Sequence, residues 1–178
     1  NANFRDDRYG GTPENRIRLL REVVERVAGV AGADRTSVRL SPNGDSQGVD
    51  DSNPAAVFIP AAQALAEIGI GFLELREPGP DGTFGKTDVP KLSPQIRDVF
   101  TGPLVLNSDY ETAAQAQAAI DAGTADAISF GRTFLANPDL PERLAKDAPL
   151  NQSNIKTWYS QGPEGYIDYP TLDEARAA

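Results

Sequence analysis

The chain has 178 residues and a formal net charge of −9, which excludes the basic surface that nucleic acid or an anionic membrane requires while leaving room for an anionic cofactor held by a few arginines. It contains no Cys and no His, so disulfides, thiolate catalysis and Cys-based zinc sites are excluded, and proton chemistry falls to Tyr, Asp, Glu, Lys or Arg-assisted water. Hydrophobic residues make up 39% without an apolar run of about 18 residues, the expectation for a soluble, cytoplasmic, single-domain chain; no Met occurs and the first residue is Asn, which reads as a piece of a longer protein.

Thr12 followed by Pro13 predicts an N-cap and a first helical turn. Ile17, Leu20, Val24 and Val27 recur at spacings of three and four, which predicts one buried face running to a stop at Gly29. Ser37 to Ser41 alternates as a strand, with Val38 and Leu40 on one side and Arg39 on the other. A helix is expected over residues 53 to 69, a strand over 71 to 75, a helix over 93 to 100 and a strand over 103 to 107. An Ala-rich helix over 111 to 122, a strand over 127 to 130 and a helix over 140 to 146 complete the pattern. Strands alternating with helices imply parallel pairing through right-handed crossovers. If the strands belong to a barrel, their outer face packs on helices and Arg39 points inward as a cation.

Two turn-rich stretches, Ser41 to Asn53 and Arg76 to Val89, follow the first two strands. Loops at the carboxyl ends of parallel strands build active faces, so both are candidate substrate loops, with solvated connection as the alternative. Leu106-Asn107-Ser108-Asp109 and Ser129-Phe130-Gly131-Arg132 end the last two strands. Gly131 would admit a phosphate close to the backbone, Arg132 would supply charged donors, and amides around Ser108 would complete a cradle. Ser108 with Glu111 equally fits a capping box for the following helix. Arg39 equally fits a buried ion pair with Glu74 on the neighbouring strand.

The segment from Asn3 to Arg16, Asn-Phe-Arg-Asp-Asp-Arg-Tyr-Gly-Gly-Thr-Pro-Glu-Asn-Arg, resembles a signature of the Old Yellow Enzyme family of flavin-dependent ene-reductases. The likeness continues through Val38-Arg39-Leu40-Ser41-Pro42, through Phe130-Gly131-Arg132 with Leu135 to Leu140, and into Thr157-Trp158-Tyr159 and Glu164 to Pro170. In that family the opening segment follows the fourth barrel strand. The resemblance therefore implies an α/β fold, the second half (strands 5–8) of a (β/α)8 TIM barrel: a lead-in loop over 1–11, four βα units over 12–147, and a tail over 148–178 across the barrel mouth.

It also implies FMN as cofactor and NAD(P)H as reductant, with no metal. Arg39 would lie beside the flavin pyrimidine edge, where its charge favours the anionic reduced form. Asn107, Ser108, Phe130, Gly131 and Arg132 would form the phosphate segment, and Tyr159 would stand near flavin and substrate as the catalytic candidate. Trp158 and Tyr166 to Pro170 read as packing for a docked tail. Asn107-Ser108 stands where the family commonly has Asn-Gly; Ser keeps the backbone donor but resists positive φ. Asp6 replaces a usual Thr, and Asn43 to Gln47 is more polar than the aromatic-bearing loop often found there, so substrate preference does not carry over.

The expected activity is hydride transfer to activated alkenes, extending to nitro compounds or nitrate esters. The His-Asn or His-His pair that grips substrate and the proton-donating Tyr belong to the family's first half, so a complementary N-terminal half-barrel is the implied partner. The alternatives are a non-catalytic half-barrel that assembles or binds phosphate, and a dienoyl-CoA reductase-type flavoenzyme. The lack of Cys for an iron–sulfur cluster and the Tyr166 to Pro170 tail speak against the latter.

Overall fold

The Thr12 hydroxyl accepts the Asn15 amide at 3.4 Å and Pro13 fills the first turn, so the first helix, α1, spans Pro13–Ala31. This computed structural model describes residues 2–45, 50–78 and 88–177. Residues 46–49 of the first turn-rich stretch and 79–87 of the second lie outside the described residues.

The helix passes through Gly29 and ends at Gly32, which corrects the expected stop. A lone glycine costs a helix only about 1 kcal/mol, and the chain leaves the helical path where Gly32 takes a φ of 95°. Val24 is buried and Leu20 packs against the core, but Val27 is 46% exposed, a second correction: three residues beyond Val24, it falls outside the packed contact.

A 3₁₀ turn at Ala33–Arg35 leads into β1 (Ser37–Leu40), followed by α2 (Pro54–Ile68), β2 (Phe72–Arg76), α3 (Ser93–Val99), β3 (Leu104–Asn107), α4 (Ala113–Asp121) and β4 (Ala127–Ser129). Three short helices follow: α5 (Arg132–Ala136), α6 (Leu140–Ala145) and α7 (Leu172–Ala177). Neither α5 nor α7 is among the elements expected from the sequence. The described strands form one parallel sheet in the order β1-β2-β3-β4.

Register assigns the two faces. Leu73 and Leu75 of β2 align with Leu104 and Leu106 of β3, all buried, and they share a core with Leu65 of α2, Ile96 of α3 and Phe100. Each such side chain contributes about 1.5–3 kcal/mol on burial. The opposite face is polar, since Arg39 stands opposite Glu74 and Arg76 opposite Asn107, which in turn pairs with Ser129. The approach to β2 is narrow: a Cβ on Gly71 would overlap the Asp34 carbonyl oxygen.

Two acidic groups organise the connections. Glu77, buried just past β2, accepts the Leu92 amide at 2.6 Å and the Ser93 amide at 3.1 Å, placing a carboxylate at the start of α3. Asp139 receives Arg143 at 2.7 Å and the Leu172 amide at 2.6 Å. The buried Arg143 also donates to the carbonyls of Pro149 at 2.6 Å and Pro170 at 2.8 Å, so the tail is tied down on α6.

The capping box of α4 uses Thr112 and Gln115 rather than Ser108 and Glu111. Helical geometry begins only at Ala113, and Ser108 and Asp109, five and four positions upstream, carry φ of 97° and 56°. Ser108 thus stands too far upstream to cap.

Candidate functional site

A cleft of about 780 Å³ opens along the polar face and at the carboxyl ends of the strands. Arg39 reaches it from β1, Asn107 and Ser108 from the end of β3, Phe130, Gly131 and Arg132 from the β4–α5 junction, and Tyr159 from the tail. The seven residues expected to hold cofactor or meet substrate therefore line one cavity, despite a separation of up to 120 positions between Arg39 and Tyr159.

Arg39 is paired. Its Nε and Nη2 each donate to Glu74 at 2.9 Å, a bidentate fork. The guanidinium side chain is nonetheless 54% exposed, so the pair lies on the cleft wall and not in the core. Asn107 donates Nδ2 to both the hydroxyl and the carbonyl of Ser129, at 2.9 and 3.0 Å, which commits that amide to a cross-strand tie.

Ser108 adopts the positive φ that its side chain resists, and its Oγ is buried without a hydrogen-bond partner among the described residues. The Trp158 Nε1 has the same status. Buried polar atoms without partners are rare, because desolvation of each costs about 1–3 kcal/mol. Two of them on one cleft wall fit a ligand rich in acceptors. Gly131 adds room, since a Cβ there would meet no protein atom within 4 Å.

Arg132 lies 3.4 Å from Asp109 and 3.6 Å from Glu111, and its guanidinium carbon is 5.4 Å from the centre of the Trp158 ring. Both carboxylate contacts are longer than the 2.7–2.9 Å of a well-formed charged hydrogen bond. The stack on Trp158 gives that side chain a part in the site that the packing assignment missed.

Arg76 is the other residue missed. It lies two positions after Glu74 on β2, so strand alternation put both on the cleft side and could have revealed it. Burial pushes its pKa down; Tyr159 opposes that shift and Arg39 reinforces it. Tyr159 itself stands at the cleft lip, 97% exposed. In the first turn-rich stretch, Asn43 is buried and donates to the carbonyls of Val89 and Pro90 at 3.4 and 3.3 Å, so this part of the candidate substrate loop holds two loops together.

Among the described residues, no group of three or more His, Cys, Asp or Glu side chains is arranged to hold a metal, and no helix is long and apolar enough to cross a membrane. The residues lining the cleft, Arg39, Arg76 and Arg132 with Ser108 and Trp158, whose hydroxyl and indole N–H are buried without partners among the described residues, suit an anionic, acceptor-rich molecule with a planar part.

Residues 1–151 match the model of the NADH:flavin oxidoreductase / NADH oxidase family. The chain is 41% identical over 172 residues to putative 12-oxophytodienoate reductase 11 of Oryza sativa subsp. japonica, covering 96% of this chain and 47% of that protein. Among solved structures, the old yellow enzyme homologue from Zymomonas mobilis is 62% identical with a TM-score of 0.89, covering 95% of this chain and 47% of that one. Morphinone reductase is 42% identical with a TM-score of 0.86, covering 97% and 46%. The chain thus spans about half the length of the relatives it matches.

Proposed function

Because the chain belongs to the NADH:flavin oxidoreductase / NADH oxidase family, with Old Yellow Enzyme homologues among its relatives, we propose that it is the cofactor-holding half of an ene-reductase. FMN is the family's cofactor and NAD(P)H its reductant. FMN, when bound, would supply the hydride chemistry that links NAD(P)H to the β-carbon of an activated alkene, with a proton reaching the α-carbon, nitro compounds and nitrate esters being further acceptors.

The observation that carries this reading is the convergence of Arg39, Ser108, Gly131, Arg132 and Tyr159 on one cleft at the strands' carboxyl ends. Arg39, oriented by Glu74, presents positive charge to the pyrimidine edge and favours electron density there. Arg132 and the Ser108 hydroxyl bind the phosphate, and Gly131 leaves space for it. The tail brings Tyr159 to the lip, where it meets substrate. In this reading the described strands are strands 5–8 of a barrel; β1 and β4 each have a neighbour on one side only among the described residues. A complementary half-barrel would pair both edges and supply the substrate-gripping pair and the proton donor, for which this chain has no His.

The test is size-exclusion chromatography with flavin absorbance and reduced-nicotinamide consumption, on this chain, on a chain carrying the first four βα units, and on their mixture. Closure of the barrel, FMN retention and alkene reduction are expected together, in the mixture alone. A monomer of this chain that retains FMN and reduces alkenes at full rate would refute the need for a second half, and a mixture that binds no FMN would refute the flavin site.

A further inference from the structure

One chain of hydrogen bonds crosses all the strands on the cleft side of the sheet. Arg39 of β1 donates twice to Glu74 of β2, at 2.9 Å each. The Ser129 hydroxyl of β4 donates to the same carboxylate at 2.5 Å. Asn107 of β3 donates to that hydroxyl oxygen at 2.9 Å and to the Ser129 carbonyl at 3.0 Å. The register explains how so many partners meet, because Arg39 and Glu74 are directly opposed and so are Asn107 and Ser129.

Glu74 is the hub. Its side chain is only 13% exposed, and it receives an arginine fork on one side and a short hydroxyl bond on the other. An exposed arginine loses rotamer freedom when held in one geometry, and a bidentate carboxylate supplies the offset. The same carboxylate is a negative charge next to the positive one, so it sets how much of the Arg39 field reaches the cleft. The Ser129 hydroxyl draws electron density from Glu74 and moderates that opposing charge.

We propose that Glu74 is a positioning residue that aims Arg39 at the flavin and, through its hydrogen bond from Ser129, tunes the flavin's reduction potential. The inference rests on the flavin reading of the cleft. It goes beyond that reading in assigning the potential to a linked set, Arg39, Glu74 and Ser129, with the Glu74 charge and the Ser129 hydrogen bond as its tuning elements. It also connects the strand that carries Arg39 with the β4 strand that leads into Gly131 and Arg132.

Glu74→Gln and Ser129→Ala test it in the FMN-loaded protein assembled with its complementary half, with the two-electron flavin potential, the FMN dissociation constant and the thermal midpoint as readouts. Glu74→Gln keeps an oxygen acceptor for Arg39 and removes the opposing charge. It should move the oxidised–reduced equilibrium about tenfold toward the reduced flavin, an upward shift of about 30 mV. Ser129→Ala leaves the carboxylate more strongly charged and should shift the potential downward. FMN affinity should change less than threefold in both.

Opposite signs at two positions of one network distinguish tuning from general disruption. Potentials that stay at the parent value while the thermal midpoint falls would make Glu74 a structural tie and overturn the proposal, as would shifts of the same sign. If Glu74→Gln does not fold, Ser129→Ala decides alone, and an unchanged potential overturns the proposal. Parent protein without bound flavin would instead overturn the flavin reading itself, and this inference with it.

Discussion

At Ser108, one side chain holds a backbone conformation that favours glycine, with φ at 97°, and buries a hydroxyl without a partner among the described residues. Such strain costs on the order of 1–3 kcal/mol and persists where the surroundings impose it. Ser108→Gly should stabilise the flavin-free protein by about 1 kcal/mol, measured as a higher urea midpoint at unchanged slope, while weakening FMN binding if the hydroxyl contacts the phosphate. Arg132→Ala should weaken FMN binding about tenfold, toward the lower end for a charged contact, because Asp109 and Glu111 already share the guanidinium. Equilibrium titration with FMN measures both, and parent affinity in Arg132→Ala would move the phosphate elsewhere. Tyr159→Phe should alter substrate affinity or product selectivity with stability unchanged, since its ring is 97% exposed and has little packing to lose. Steady-state kinetics with cyclohexenone provides the check.

Among the elements, α6 and the tail form the unit with the most to lose. Arg143 is buried, and its three acceptors, Asp139 and the carbonyls of Pro149 and Pro170, would be left behind by Arg143→Ala. Breaking a buried pair from one side costs roughly 3 kcal/mol or more, and chemical denaturation should show it. Burial pushes the Asp139 carboxyl up, but the Arg143 guanidinium and the Leu172 amide outweigh it and hold the carboxyl below its ordinary value. A depressed folded pKa contributes stability that is fully present above the unfolded value of about 3.9 and is lost as pH falls through the lower folded one. Loss of tail protection in hydrogen exchange should therefore begin below about pH 4, and Asp139→Asn should remove that pH dependence. Helix starts of this kind were partly legible. Thr12-Pro13 announced α1 because both signals are local, whereas Glu77 at the start of α3 acts from 15 residues away and carries no local signature.

On the scale of the molecule, the outer surface of α1 exposes Leu19, Val23 and Val30 at 58%, 52% and 84%. Should a complementary half-barrel pair with this chain as proposed, one of its helices would cover this stripe. Val23→Glu with Val30→Glu should leave the far-ultraviolet circular dichroism of the chain unchanged and slow its assembly with the first half, read by size-exclusion chromatography. Assembly at the parent rate would place the contact on another surface.

The sequence by itself determined the order of the four strands and the helices that alternate with them, the parallel α/β class and the apolar face of the sheet, because caps, periods of 3.6 and alternations of two are local properties of the chain. It also pointed to the residues that gather in the cleft, since all of those on strands stand at or near carboxyl ends, and parallel strands bring those ends to one side. Only the tertiary structure decided how those residues are engaged. It paired Arg39 with Glu74 on an exposed wall, passed the helix cap from Ser108 to Thr112, set Arg132 between two carboxylates and the Trp158 ring, and brought Arg76 into the site. Such outcomes depend on strand register and loop path, which join groups as distant in sequence as Glu74 and Ser129, 55 positions apart. No local propensity encodes which of the many possible partners at that distance a carboxylate will meet; the packed sheet selects it by holding the four strands in a single alignment.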